Sequence, residues 1–276
     1  MEELTRDDLV FDVSDNGTGD EVVVLLHGWP QDCQAWAAVT PLLVEAGLRV
    51  VAFDQRGYSP GARPAGRQAY RMKELVGDVL ALLDGLGVQR VHLVGHDWGG
   101  AVAWALAERH PERLHSLTVL STPHHRAMAW AMLHGDQAAR SWYMAGFQLP
   151  LLPELVLKHS LGAVLRLSGL PEEHAQRYAA RFREPGAAGS ELAWYRAIPW
   201  WPNRSGESAG HPISTPTAYV WGRKDPALGR AAAQRTREHV AADYTFIELD
   251  AGHWLPETHP HEVATAILQR TGTRPQ

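Results

Sequence analysis

Cysteine is nearly absent from this sequence. Cys33 is the only one in 276 residues, so no disulfide can form within the chain. Nothing near it resembles a pair of catalytic thiols, which excludes the usual two-cysteine redox chemistry. We therefore expect Cys33 to be chemically inert.

An excess of basic residues and a long apolar run are also missing. The formal net charge is −5 at pH 7 and the isoelectric point is near 6.3, so the chain offers no positive field for nucleic acid or an anionic membrane. Residues 1–8 lack a basic stretch leading into an apolar one, and no apolar run is long enough to span a bilayer. These absences predict a cytoplasmic protein that acts on a small molecule, without a nucleic-acid or membrane partner. They leave the oligomeric state open.

What the sequence does contain is a regular alternation of strand-like and helix-like patterns. Helical patterns, for example at 73–86 and 231–240, separate the strand-like runs. This alternation predicts an α/β fold whose central sheet is mostly parallel and flanked by helices. The apolar runs typical of strands lie at residues 22–26, 50–53, 91–94, 117–120, 218–221 and 245–249.

The alternation stops between about residues 123 and 211, where helical patterns and Pro-Gly punctuation replace strands. We interpret residues 123–213 as an inserted helical lid, with residues 1–122 and 214–276 forming the core. Ligands of open α/β sheets bind beyond the carboxyl ends of the strands, which is where this lid would emerge. The charged run from Arg177 to Arg183 and the pair Arg223-Lys224 are expected to be solvated faces.

The turn after the third strand-like run carries the most informative residue, Asp97. It stands in the pattern Gly-x-Asp-x-Gly, where a sharp strand-to-helix turn normally presents a serine nucleophile. A carboxyl with a pKa near about 4 is already ionised at neutral pH, so it can attack carbon without a base and form an alkyl ester. The alternative interpretation is that Asp97 only caps the helix that begins at Trp98.

Two later turns supply the groups that such an ester would need for hydrolysis. Asp225 follows the strand at 218–221, and His253 follows the strand at 245–249. In this interpretation Asp225 orients His253, and His253 activates a water molecule against the ester. Taken separately, Asp225 could be an ordinary turn residue and His253 a packed or surface histidine.

The turn after the first strand-like run reads His27-Gly28-Trp29-Pro30. The backbone amides of Trp29 and Trp98 are predicted to form an oxyanion hole for the hydrolytic step, with His27 and Gly28 shaping the turn. The alternative is an ordinary Gly-Pro exit from a strand.

Four segments of the sequence together resemble the epoxide hydrolases of the α/β-hydrolase superfamily, and the resemblance covers nearly the whole chain. It implies an α/β-hydrolase fold and the conversion of an apolar epoxide and water into a vicinal diol, without a cofactor. No metal is expected, because His92 and His96 have the spacing of a helical metal pair but fall on a strand and its turn. The segments that carry the resemblance are His27-Gly28-Trp29-Pro30, Asp54-Gln55-Arg56-Gly57-Tyr58-Ser59, Gly95-His96-Asp97-Trp98-Gly99-Gly100 and Gly252-His253-Trp254.

Two further segments, one around Tyr143 and one around Tyr195, are similar to the lid motifs of that family. The similarity implies that Tyr143 and Tyr195 hold the epoxide oxygen. Ring opening creates an alkoxide, and a phenol with a pKa near about 10 is protonated at neutral pH and can donate to it. Either tyrosine could equally be a buried core residue.

The resemblance also bears on substrate binding. His27, Trp98 and Phe147 are expected to contact the substrate. Gly146 departs from the aromatic residue expected at that position of the lid motif, which would widen the pocket or change the shape of the substrate that fits it.

The nearest alternative function is a haloalkane dehalogenase, which can use the same aspartate, histidine and acid. Haloalkane dehalogenases usually carry asparagine where Trp29 stands, and fluoroacetate dehalogenases carry arginine where Trp98 stands. Both differences favour an epoxide, although the indole N–H of Trp98 could contact a halide. A third alternative is a ligand-binding protein that keeps the fold without turnover, and the complete set of catalytic residues argues against it.

Overall fold

A computed structural model describes residues 1–16, 18–198 and 211–272. Within these residues, eight strands form one sheet in the order β1-β2-β4-β3-β5-β6-β7-β8. The two N-terminal strands pair antiparallel, and β2 pairs antiparallel with β4, whereas the neighbours from β4 to β8 are parallel. The strands are β1 (Glu3–Arg6), β2 (Leu9–Asn16), β3 (Val22–Leu26), β4 (Arg49–Phe53), β5 (Val91–His96), β6 (Leu114–Leu120), β7 (Thr217–Gly222) and β8 (Tyr244–Leu249).

Helices connect and cover these strands. The helix predicted at 231–240 is a short α-helix followed by a 3-10 turn at Thr236–His239. The helices are α1 (Thr40–Glu45), α2 (Met72–Gly85), α3 (Trp98–Arg109), α4 (His125–His134), α5 (Gln137–Arg140), α6 (Trp142–Gly146), α7 (Leu152–Leu167), α8 (Glu172–Phe182), α9 (Ala187–Arg196), α10 (Arg230–Arg235), α11 (Leu255–Thr258) and α12 (Pro260–Thr271). In the described part of the chain, none of them is both long and apolar enough to cross a membrane.

The predicted α/β fold with a mostly parallel sheet is confirmed, and the six predicted strands are β3 to β8. The central strands β3 and β5 are buried on both faces. Alternate residues of β3 belong to two core clusters, Val24 to the one that includes Val102 of α3 and Leu25 to the one that includes Ile267 of α12. A strand covered by helices on both faces must be apolar throughout, which explains the unbroken valine and leucine run of β3.

Helices α4 to α9 lie between β6 and β7, inside the interval predicted as a lid. Residues 199–210 of that predicted interval lie outside the described residues. A third apolar cluster holds α7, α8 and α9 together through residues such as Leu161, Phe182 and Leu192, and it includes Trp254 from the turn after β8. The helical segment therefore packs directly on the carboxyl-terminal edge of the sheet.

The expectation of a solvated face was wrong for α8, because Arg177 and Arg181 both pair with the buried Asp32. Arg181 forms ion pairs with Asp32 and with Asp54, each at 2.8 Å, and both carboxylates are buried. By contrast, Arg223 and Lys224 pair with the exposed Asp250 at the surface, as expected. Asp32 lies in the turn after β3 and Asp54 directly follows β4. The ion pairs of Arg181 therefore connect the helical segment to the edge of the sheet.

Candidate active site

The turn between β5 and α3 holds Asp97 in a left-handed backbone conformation, with φ 50° and ψ −119°. Such a conformation is rare for a residue with a side chain, and it is typical of functional turns. The Asp97 side chain makes no capping hydrogen bond to α3. Its Oδ1 instead accepts from the backbone N–H of Trp29 at 2.9 Å. The geometry thus disfavours the interpretation of Asp97 as a helix cap.

Two glycines allow this close approach. A Cβ on Gly28 would overlap that of Asp97 and lie 2.7 Å from Oδ1 of the same carboxylate. A Cβ on Gly99 would overlap the backbone carbonyl of Leu26 and lie 2.6 Å from that of His27. The start of α3 can therefore sit against the end of β3 only because both positions lack a side chain.

His253 lies between two carboxylates. Its Nδ1 is 2.7 Å from Oδ2 of Asp225, and its Nε2 is 3.5 Å from Oδ2 of Asp97. Burial alone lowers the pKa of His253, but the charges and hydrogen bonds of Asp225 and Asp97 raise it well above its usual value. For Asp97 burial acts in the opposite direction and raises the pKa of the carboxyl. The hydrogen bond and charge of His253 outweigh this effect of burial, so the pKa of Asp97 lies below its usual range. The nucleophile candidate is therefore an anion at neutral pH.

Asp225 is both a turn residue and the partner of His253. Its Oδ1 accepts from the backbone N–H groups of Ala227 at 2.8 Å and Leu228 at 3.0 Å. Its Oδ2 faces the imidazole, and the side chain is fully buried. The turn thus orients one oxygen of the carboxylate and leaves the other for the histidine.

The sequence alone did not indicate how the backbone of His253 is held. Its carbonyl accepts from Nε2 of His96 and from Oγ of Ser121, both at 2.9 Å. The other ring nitrogen of His96 lies 2.8 Å from the side-chain oxygen of Gln31, and the amide Nε2 of Gln31 donates to the half-buried Glu257. These four partners lie at the end of β5, in the turns after β3 and β6, and in α11, so no local pattern could have connected them.

Tyr143 in α6 and Tyr195 in α9 meet edge to face, with ring centroids 6.2 Å apart. Tyr195 also packs against Phe147, at 5.0 Å between centroids, and against Trp98, at 5.1 Å. Burial is the main cause that raises the pKa of both phenols. The negative charge of Asp97 also raises the pKa of Tyr143, and Tyr143 and Asp97 also raise the pKa of Tyr195. Both are therefore protonated at neutral pH and able to donate.

These groups converge on a cavity of about 580 Å³. Its reacting end is lined by Asp97, His253, Tyr143, Tyr195 and Trp29, and the remaining wall is largely apolar and comes mainly from α6 and α7. The volume lies within the range of small-molecule sites, about 300–1,000 Å³. The arrangement provides a carboxylate, an acid–histidine pair and two proton donors inside one apolar pocket.

Of the three residues expected to contact substrate, Phe147 lines the cavity, whereas His27 and Trp98 are not among the described residues of its wall. Nε2 of His27 accepts from the backbone N–H of Gln55 at 3.0 Å, and its Nδ1 lies 2.9 Å from the carbonyl of Gly28. His27 therefore braces the turn that carries Trp29. The Trp98 ring instead packs edge to face against the ring of Tyr195, so it supports that tyrosine.

The two amides predicted to form an oxyanion hole differ in their contacts. The N–H of Trp29 already donates to Oδ1 of Asp97. The N–H of Trp98 is the first of α3, and an amide in the first turn has no acceptor within its own helix. Both donors thus belong to backbone that flanks the Asp97 carboxylate.

A group of potential metal ligands among the described residues lies away from this cavity. Side-chain atoms of Glu108, His124 and His125 lie within 4.8 Å of one another. Nε2 of His124 is 3.2 Å from Oε1 of Glu108, while its Nδ1 accepts from the backbone N–H of Arg126 at 3.3 Å. An accepting Nδ1 places the ring proton on Nε2, facing the carboxylate. This arrangement suits a histidine–carboxylate contact better than a metal ligand.

Comparison with known proteins agrees with the α/β-hydrolase fold. A family model described as alpha/beta hydrolase fold matches residues 21–260. An AB hydrolase superfamily protein of Bacillus subtilis is 36% identical over 90% of this chain and 89% of its own length. Epoxide hydrolase A of Mycobacterium tuberculosis is 31% identical over 91% of this chain and 90% of its own. The solved structure of epoxide hydrolase A from Mycobacterium thermoresistibile covers 99% of both chains, with a TM-score of 0.81 and 26% identity.

Proposed function

The chain belongs to the α/β-hydrolase fold family, and from that premise and its relatedness to epoxide hydrolases we propose that it hydrolyses an apolar epoxide to a vicinal diol. One observation carries the proposal beyond family membership. The Asp97 carboxylate and the His253–Asp225 pair share the end of one apolar cavity with the phenols Tyr143 and Tyr195. Water and the epoxide are then the only reactants required.

In the first step, an oxygen of Asp97 attacks one epoxide carbon and breaks its bond to oxygen. A hydroxyl of Tyr143 or Tyr195 donates a proton to that oxygen, and the product is a hydroxyalkyl ester of Asp97. The negative charge of Asp97 is one cause of the raised pKa of both phenols. Because ester formation removes that charge, the phenols become better acids as the oxygen departs.

Between the two steps His253 gives up the proton it held, which returns through water to the tyrosinate left by the first step. In the second step, the now neutral His253 takes a proton from water, and the resulting hydroxide attacks the ester carbon of Asp97. The oxyanion that forms is stabilised by the backbone N–H groups of Trp29 and Trp98, and its collapse releases the diol and restores the carboxylate. Two carboxylates hold the proton on His253 before the reaction. Esterification leaves only Asp225 beside it, so the pKa of His253 falls when its role as a base begins.

The helical segment between β6 and β7 acts in this proposal as a lid, with residues 123–213 as its extent and residues 1–122 and 214–276 as the core. It supplies both tyrosines and most of the apolar wall of the cavity. Water exclusion by such a wall strengthens the electrostatic interactions at the reacting end.

The proposal is tested by a panel of epoxides run beside haloalkanes of similar size, with diol and halide measured in parallel. We expect diol from the epoxides and no halide, with no requirement for an added metal or cofactor. Asp97→Ala serves as the blank for uncatalysed hydrolysis. Release of halide without diol from any epoxide would assign the chain to the dehalogenases. If neither diol nor halide forms, the result would favour the ligand-binding alternative.

A second prediction concerns Gly28→Ala. The added methyl would overlap the Asp97 side chain, so the carboxylate must move away from its position beside Trp29. A displacement of this size is expected to lower kcat/KM for an epoxide by roughly 10²-fold, because reactivity depends on near-attack geometry. The measurement is steady-state diol formation, accompanied by a thermal melt.

The matched control is Gly189→Ala, at an exposed position of α9 where an added Cβ meets nothing within 4 Å. It should retain the kinetics of the parent. Unchanged activity in Gly28→Ala would show that the close packing of this turn on Asp97 does not matter for turnover.

A further inference from the structure

The cavity extends from the buried reacting end to an apolar opening at the surface. Leu149, Leu152, Val156 and Val164 line it, and between 47% and 54% of each of these residues is exposed. Exposed apolar side chains grouped in this way are typical of a ligand-binding groove. The opening lies between α6, with the turn that follows it, and α7.

The hydroxyls that α7 and the turn after it contribute to the wall are already bonded within the protein. Oγ of Ser160 donates to the carbonyl of Val156 at 2.9 Å. Oγ of Ser168 donates to the carbonyl of Leu165 at 2.6 Å and accepts from the Trp254 indole at 2.9 Å. A polar substituent on the substrate would lose its hydration without gaining these partners, which costs free energy. This part of the cavity therefore selects an apolar substituent.

Gly146 lies on the same wall, three residues after Tyr143 and one before Phe147. An added Cβ there would meet nothing within 4 Å. The backbone does not require glycine, because Gly146 is not among the positions with positive φ. Because Gly146 has no side chain, open space lies beside it, about one helical turn from the hydroxyl-bearing Tyr143 at the reacting end.

We propose that Gly146 determines which substrates fit, and that the open space beside it admits epoxides whose substituent is bulky and apolar, such as a fused aromatic ring system. This inference rests on the proposed function, because it places the epoxide between Asp97 and the tyrosines. The substituent would extend past Gly146 towards the opening between α6 and α7.

The test compares naphthyl oxirane with propylene oxide, using the ratio of their kcat/KM values. The parent protein should favour naphthyl oxirane. Gly146→Phe should reduce that ratio by roughly 10- to 100-fold. The added ring would fill the space that the naphthyl group occupies, and loss of a fitted apolar contact has effects of this order on specificity. Gly146→Leu should give a smaller reduction, and it also covers the case in which the phenylalanine variant does not fold.

Gly189→Phe is the matched control, because its Cβ also points into open space but the residue does not line the cavity. It should leave the ratio unchanged. A parent that prefers propylene oxide, or an unchanged ratio in folded Gly146→Phe and Gly146→Leu, would overturn the role of Gly146 while leaving epoxide hydrolysis intact. Absence of diol from both substrates with the parent would instead refute the proposed function, and this inference with it.

Discussion

His253→Gln is expected to trap the alkyl ester on Asp97. Glutamine is similar in size to histidine but cannot accept a proton from water, so the first step proceeds and the second stalls. General-base catalysis contributes roughly 10²- to 10⁴-fold, and steady-state diol formation should fall by that amount. Attack by the Asp97 carboxylate requires no base, but loss of the hydrogen bond and charge of His253 raises the Asp97 pKa, so the reaction is run at mildly alkaline pH, where the carboxyl is ionised.

Intact-protein mass spectrometry checks this result directly. Ring opening loses no atoms, so the protein should gain the full mass of the epoxide, whereas displacement of a halide would add only the alkyl group. The adduct should be absent from the double variant His253→Gln with Asp97→Ala. His261→Gln, at an exposed position of α12, should behave like the parent. Full turnover by His253→Gln, or no adduct with a substrate that the parent converts, would argue against the covalent route.

Replacing both Tyr143 and Tyr195 with phenylalanine is expected to suppress ring opening itself. Loss of one donor to a developing oxyanion costs roughly 10²- to 10³-fold in kcat, and removal of both should cost at least as much. Since the pKa of each phenol is raised by burial and by nearby groups that include Asp97, each keeps its proton throughout the neutral range. The step affected is the first one, so no ester should accumulate on Asp97.

Single-turnover measurements of epoxide consumption distinguish this variant from His253→Gln, in which consumption remains fast. Tyr244→Phe is the matched control, because the Tyr244 hydroxyl is buried without a hydrogen-bond partner among the described residues and lies on β8. Wild-type rates of epoxide consumption in the double variant would remove the tyrosines from the mechanism.

The parallel strands could be predicted from local pattern because most of their residues are apolar, and the central strands β3 and β5 are buried along their whole length. The hairpin of β1 and β2 was missed. Its strands are short or half-exposed, and charged residues interrupt them, so their pairing depends on the neighbouring β4 rather than on a pattern of their own.

Residue roles that depend on distant partners could not be read from the sequence. Arg181 belongs to a charged run that is typical of a solvated helix face, and only the approach of Asp32 and Asp54 gives it buried partners. His27 belongs to a motif near the site, and only its bond to Gln55 shows that it supports the turn instead of lining the cavity.

The sequence by itself determined the α/β class and the candidate nucleophile, because backbone periodicity and a glycine-flanked turn are local properties of the chain. The tertiary structure decided how the groups meet. His253 stands between Asp97 and Asp225 because turns from three parallel strands end at one sheet edge, and the cavity wall comes from helices packed over that edge. Distances, burial and the resulting pKa shifts arise from these packed positions, and no local pattern encodes them.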